Sequence, residues 1–111
     1  MVLFKDKLNW KKSGGGAFKA HQDHPAWTDL EPKNYLTVMF FIDRMTVHNG
    51  CLEFSKQHFP NKELHHVLET GGNLDPEVEE KLDWFYLEGN IRDLVVFDSF
   101  LPCLLSTSDA A

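Results

Sequence analysis

His21 and Asp23 are the two residues of this sequence whose types and spacing most directly suggest chemistry. They flank Gln22 in the stretch Gly14-Gly15-Gly16-Ala17-Phe18-Lys19-Ala20-His21-Gln22-Asp23-His24-Pro25-Ala26-Trp27. In a β-strand, residues i and i+2 project to the same face, so the imidazole and the carboxylate would stand side by side. Together they make two-thirds of the 2-His-1-carboxylate triad, which holds non-haem Fe(II) and leaves open positions for oxygen and substrate. A His-x-Asp pair also occurs in ordinary surface turns, so the surrounding elements must decide between the two.

Those elements read mainly as strands. Residues 2–10 alternate apolar and charged side chains, as a strand with one polar face does. Three glycines break the chain at 14–16, and 17–23 is the next expected strand, stopped by Pro25. The strongest strand signal runs over 34–43, β-branched and aromatic on both faces, which predicts a central place in a sheet. His48-Asn49-Gly50 predicts a turn joining antiparallel strands, followed by a strand over 51–54. Residues 57–72 read as loop with one turn of helix. Asp75-Pro76-Glu77 predicts a helix start, with Asp as N-cap, Pro at the first position and acids in the first turn. Strands are expected at 84–87 and 94–98. From Leu104 to Ala111 the periodicity is lost in a small, polar tail. Short strands separated by turn signals predict a mainly β, jelly-roll-like domain with one short helix.

Composition narrows the function classes. The chain has 111 residues, enough for one domain, with 42% hydrophobic residues, nine Phe and three Trp. A net charge of −6 argues against a general nucleic-acid binder, because little here would neutralise a run of phosphates. Lys5, Lys7, Lys11 and Lys12 make a small basic patch that reads as a solvated strand face. No apolar run reaches the roughly 18 residues of a membrane span. Cys51 and Cys103 form no Cys-x-x-Cys pair, and with no leader pattern the expectation is a cytoplasmic protein with free thiols.

The ordered set of these segments resembles the phytanoyl-CoA dioxygenase family. The resemblance rests on Leu3-Phe4-Lys5-Asp6-Lys7-Leu8-Asn9-Trp10, the Gly-rich run with His21-Gln22-Asp23, Ala26-Trp27, the strand over 36–43, and Asn49-Gly50-Cys51-Leu52-Glu53-Phe54. Asp93-Leu94-Val95-Val96-Phe97-Asp98-Ser99-Phe100-Leu101-Pro102 extends it, so that it covers about residues 3–102. Within the family the chain looks most like bacterial and fungal members acting on small molecules, 2-aminoethylphosphonate hydroxylases among them.

This resemblance implies a double-stranded β-helix (jelly roll, cupin-like) with iron at the mouth of the barrel and 2-oxoglutarate as co-substrate. His21 and Asp23 match the first two iron ligands. Lys5 and Asn9 match positions that reach 2-oxoglutarate, Thr37 lies on a strand lining the same pocket, and Trp27 matches a position bordering the substrate.

The resemblance also exposes a departure. Directly after the Leu-Pro that closes the last matched strand the family has its second iron-binding histidine, and this chain has Cys103. About ten residues further on, the family places an arginine whose guanidinium fork pairs with the far carboxylate of 2-oxoglutarate; here the last arginine is Arg92. Residues 1–102 therefore read as a partial family domain and 103–111 as a non-matching tail.

None of His24, His48, His58, His65 or His66 is placed by pattern to replace the missing histidine. The expected activity is Fe(II)/2-oxoglutarate-dependent hydroxylation of a small molecule, with this chain inactive through loss of the third ligand and the arginine. Two alternatives stand beside it: a non-catalytic jelly-roll binding module, and another cupin-type metalloprotein. Strands missing from the domain would leave open sheet edges, and with them a route to self-association.

Overall fold

The computed structural model describes residues 6, 8, 18–23, 36–59, 62–67 and 73–105. In chain order the elements are β1 (Phe18–His21), β2 (Leu36–Phe40), β3 (Leu52–Ser55), β4 (His66–Val67), β5 (Asn73–Leu74), α1 (Pro76–Glu80), β6 (Trp84–Leu87), β7 (Leu94–Asp98) and β8 (Cys103–Leu105). The protein is mainly β, antiparallel throughout these pairings, with one short helix. No helix among the described residues is long and apolar enough to cross a membrane. The strand expected over 2–10 lies outside the described residues.

One sheet has four strands in the order β1-β8-β3-β6, and β2 pairs with β7 in a separate ribbon. A third, minimal pair joins β4 to β5. Directly opposed residues share a face, so the register distributes the core. Phe54 opposes Cys103 and Leu52 opposes Leu105. These residues face the inner side of the ribbon, where Thr37 opposes Phe97 and Met39 opposes Val95. Phe41, Leu52, Phe54, Phe97 and Cys103 make the buried cluster between the two layers, and Phe54 meets Phe97 edge-on at 4.9 Å. On the opposite face of the four-stranded sheet, Ala20, Leu74 and Leu82 form a second cluster with Leu104 packed against it. Leu104 thus points away from its neighbours Cys103 and Leu105, as strand alternation requires.

α1 begins as its sequence dictates. The Asp75 side chain accepts a hydrogen bond from the Glu77 amide, Pro76 occupies the first turn, and Glu77 and Glu79 lie at the positive end of the helix. β6 and β7 fall at the boundaries that their apolar runs predict.

Four expectations change. The strand over 34–43 is not central: among the described residues β2 pairs with β7 alone, and Leu36, Val38 and Phe40 point outward, each more than half exposed. Its apolar character on two faces thus serves one buried face and one exposed face. The turn at 48–50 forms, with Gly50 at φ 85° and Asn49 bonded to Thr46 and Arg44. It joins no hairpin, because β2 and β3 belong to different sheets. The helical turn expected within 57–72 does not occur among the described residues; His66–Val67 pairs with Asn73–Leu74 instead. Leu104 and Leu105, expected to begin an aperiodic tail, belong with Cys103 to strand β8, paired on both sides.

Candidate metal centre

β1 ends at His21, and Asp23 lies in the bend just beyond it. The two functional groups still meet: His21 Nε2 is 3.2 Å from Asp23 Oδ1. Each is fixed from behind. His21 Nδ1–H donates to the Lys19 carbonyl at 2.7 Å, which assigns one proton to Nδ1 and makes Nε2 the nitrogen that would meet a cation. Asp23 Oδ2 accepts a 2.7 Å hydrogen bond from Thr37 Oγ1, across the gap to β2, which leaves Oδ1 turned toward the imidazole. A histidine whose far nitrogen is held by a carbonyl, beside a carboxylate that is itself hydrogen-bonded, is how metal ligands are commonly oriented.

Gln22, between them, points the other way and anchors the motif. Its side chain is 3% exposed. Its Nε2 donates to the carbonyls of Lys62 (2.9 Å) and Phe100 (2.6 Å), and its Oε1 accepts from the Leu64 amide (2.7 Å). Its own amide donates to His66 Nε2 at 3.2 Å. One side chain therefore ties the ligand-bearing bend to the 62–66 segment and to the loop leading into β8. The sequence signal for this role is its i+1 place between two ligands, which aims it into the opposite face.

Cys103 completes a cluster. It sits opposite His21 in the β1–β8 register, so both side chains fall on one face of the sheet. Its Sγ is 4.0 Å from His21 Nε2, and one ligand atom from each of His21, Asp23 and Cys103 lies within 4.8 Å of the others. Cys103 is a free thiol, 4% exposed, whereas the side chains of His21 and Asp23 are 33% and 20% exposed. The cluster is closed on the sulfur side and open on the other. Burial works against a charged His21, but hydrogen bonds with Asp23 and Cys103, an electrostatic pull from Cys103 and the Lys19 carbonyl together outweigh it. They push the imidazole up to about 11. A pocket that favours a proton so strongly is electron-rich at the place where a cation would sit.

The family model for phytanoyl-CoA dioxygenase matches residues 2–80, more than half of the chain and including both His21 and Asp23. The chain belongs to the phytanoyl-CoA dioxygenase family. It is 40% identical over 101 residues to a 2-aminoethylphosphonate dioxygenase from uncultured bacterium HF130_AEPn_1. It is 36% identical over 101 residues to a methylphosphonate hydroxylase from Gimesia maris. Each match covers 91% of this chain but only 38% and 37% of the relative. Over 54 residues it is 43% identical to dioxygenase lolE1 of Epichloe uncinata, 49% of this chain and 21% of that one. This phytanoyl-CoA dioxygenase family chain thus spans less than two-fifths of the length of the two longer matches.

The other candidate residues distribute as follows. Thr37 reaches the site through the Asp23 carboxylate. Lys5, Asn9, His24 and Trp27 lie outside the described residues. His58 faces Asp98 at 3.6 Å and His65 faces Asp75 at 2.8 Å, while His66 is held by Gln22 and the Leu64 carbonyl. None of these three joins the cluster.

Proposed function

We propose that this chain carries the metal platform of a small-molecule hydroxylase that depends on Fe(II) and 2-oxoglutarate, and that by itself it does not complete that site. The observation that carries the reading is the His21–Asp23 pair at 3.2 Å, with each ligand's far atom tied by its own hydrogen bond. Bound at such a platform, Fe(II) with 2-oxoglutarate supplies the oxidising power for C–H hydroxylation. The chain's own part is to hold the metal through His21 Nε2 and Asp23 Oδ1. By resemblance, Lys5 and Asn9 approach the oxoacid, Thr37 acts on the same pocket through Asp23, and Trp27 borders the substrate. Two relatives are named for 2-aminoethylphosphonate and methylphosphonate, and a small phosphonate is accordingly the substrate class proposed here.

Two of the three metal donors fit the iron site of a 2-His-1-carboxylate oxygenase, and the third does not. Cys103 offers a soft sulfur where that triad needs a second imidazole. No turnover step is therefore assigned to the chain.

A jelly-roll completion of the fold is consistent with two antiparallel layers packed around Phe54 and Phe97. The exposed apolar face of Leu36, Val38, Phe40, Leu94 and Val96 favours association with a second copy, measurable as a concentration-dependent mass by sedimentation. A buried free thiol at Cys103 suits a reducing, cytoplasmic setting.

The test is an anaerobic titration with Fe(II), with and without 2-oxoglutarate, followed by assay of 2-aminoethylphosphonate hydroxylation. Metal uptake without hydroxylation is expected. A folded chain that takes up no divalent metal would overturn the platform and leave a non-catalytic binding module.

A further inference from the structure

We infer that His21, Asp23 and Cys103 form a three-donor site that selects Zn(II) rather than the iron used by intact oxygenases; the inference rests on reading His21 and Asp23 as a metal platform.

Geometry is the first argument. Tetrahedral zinc, with bonds of about 2.0–2.2 Å to N and O and about 2.3 Å to S, separates its ligands by about 3.4 Å (N to O) and about 3.6 Å (N to S). Here the two separations are 3.2 Å and 4.0 Å. The third pair, Asp23 and Cys103, lies within 4.8 Å, against about 3.6 Å for O and S on tetrahedral zinc. Side-chain shifts of a few tenths of an ångström at His21 and of up to about 1 Å between Asp23 and Cys103 would bring all three donors onto one ion.

Rigidity is the second. Cys103 Sγ is not on a loop. It projects from the first residue of β8, which is held by β1 on one side and β3 on the other. It follows the fully buried Pro102, whose carbonyl accepts from the Ser55 amide at 3.0 Å. The imidazole is oriented by Lys19 and the carboxylate by Thr37. All three donors are thus positioned before any ion arrives, and less of the binding free energy is spent on ordering them.

Donor chemistry is the third. Thiolate, imidazole and carboxylate are each established zinc donors, whereas a thiolate disfavours the harder ions, and affinity rises from Fe(II) toward Zn(II) for a given site. Three protein donors with an open side is also the arrangement of zinc sites that keep a water or exogenous ligand in the fourth position, unlike closed four-ligand structural sites. Among the described residues the cluster supplies three donors, and the partly exposed edges of His21 and Asp23 give that fourth position to solvent or a small anion.

The experiment uses the full chain, stripped with chelator and titrated with Co(II) as the visible probe for zinc. One equivalent should bind with a thiolate-to-metal charge-transfer band, and Zn(II) should bleach that band stoichiometrically. Cys103→Ser should remove the band and weaken Zn(II) binding at least tenfold, on the order of what loss of a supporting residue alone costs. Cys103→His should bind metal without the band and move preference toward Fe(II). Cobalt bound to the wild-type chain without a charge-transfer band would overturn the inference while leaving the platform intact. A folded wild-type chain binding neither Co(II) nor Zn(II) would overturn both. X-ray absorption at the zinc edge needs no variant: one sulfur at about 2.3 Å supports the site, and a shell of N and O alone refutes it.

Discussion

Thr37 Oγ1 donates to Asp23 Oδ2 at 2.7 Å, joining the inner face of the β2–β7 ribbon to the bend that follows β1. The bond does for the carboxylate what the Lys19 carbonyl does for His21. Removing such an outer partner typically costs about 10–100-fold in metal affinity. Thr37→Val, close in volume but without the hydroxyl, should therefore weaken Co(II) or Zn(II) binding by that factor, and Thr37→Ser should restore most of it. Calorimetric titration of the three proteins checks this; equal affinities would make Thr37 a packing residue only.

Gln22 is the second support, and its loss should appear first as instability. Gln22→Leu keeps the apolar bulk but removes the hydrogen bonds to the Lys62 and Phe100 carbonyls and from the Leu64 amide. The bond to Phe100 is the buried one of the three, and losing a buried partner costs about 1–3 kcal/mol, so urea denaturation should show a loss of that size. Hydrogen exchange at the Leu64 amide should accelerate beyond the global effect. A loss below about 1 kcal/mol would mean that water replaces all three partners.

What the sequence made legible follows from the range of each interaction. The start of α1 and the spans of β6 and β7 depend on neighbouring residues, and Asp75-Pro76 and the apolar runs announce them. His21 and Asp23 were legible because two residues of separation suffice to bring them together. Cys103 was recognisable only as a substitution in a pattern, because its approach to His21 comes from strand register across 82 positions. β8 has three residues, too few for any period to register, and its strand state is imposed by the ladders on either side. β2 was read as central because it is apolar throughout; pairing, which hydropathy does not encode, leaves its outer face exposed.

Stability should fall on mild acidification through His66. Its ring is in the neutral form that its bonds require: Nδ1–H donates to the Leu64 carbonyl and Nε2 accepts from the Gln22 amide. Burial, partly offset by the Leu64 carbonyl, holds the imidazole below its ordinary value of 6.5. Between the folded and unfolded values the unfolded chain binds more protons, so stability rises with pH there. The contribution is whole above about pH 6.5 and declines as pH falls through that value, levelling off below the folded pKa. His21, raised, works the other way: its stabilisation is whole below about 6.5 and fades as pH climbs toward about 11. Melting curves from pH 7 to pH 5 should show a decline that His66→Asn flattens. An identical slope in the variant would place the acid sensitivity elsewhere.

Gly89 is required by space. A Cβ built there would lie 2.0 Å from Phe41 Cε2 and 2.3 Å from Cδ2. Neither side can yield easily. Gly89 and Met45 exchange two backbone hydrogen bonds of 2.8 and 2.9 Å. Phe41 is 4% exposed within the main core cluster, with its amide bonded to the Asp93 carbonyl and its carbonyl to the Arg92 amide. Gly89→Ala must either turn the ring further into the core cluster it belongs to or push the two backbones apart. Overpacking of this kind costs about 1–3 kcal/mol, against a gain of about 0.4–1 kcal/mol from a stiffer unfolded chain. Net destabilisation is expected in urea melts. Phe41→Leu gives up ring contacts but clears the position, so alanine at 89 should cost less in that background. The double-mutant cycle should accordingly show a coupling of at least about 0.5 kcal/mol, as residues in direct contact do. Strict additivity would mean that the backbone around Gly89 relaxes without the ring, and that the Phe41 contact does not set the choice of residue there.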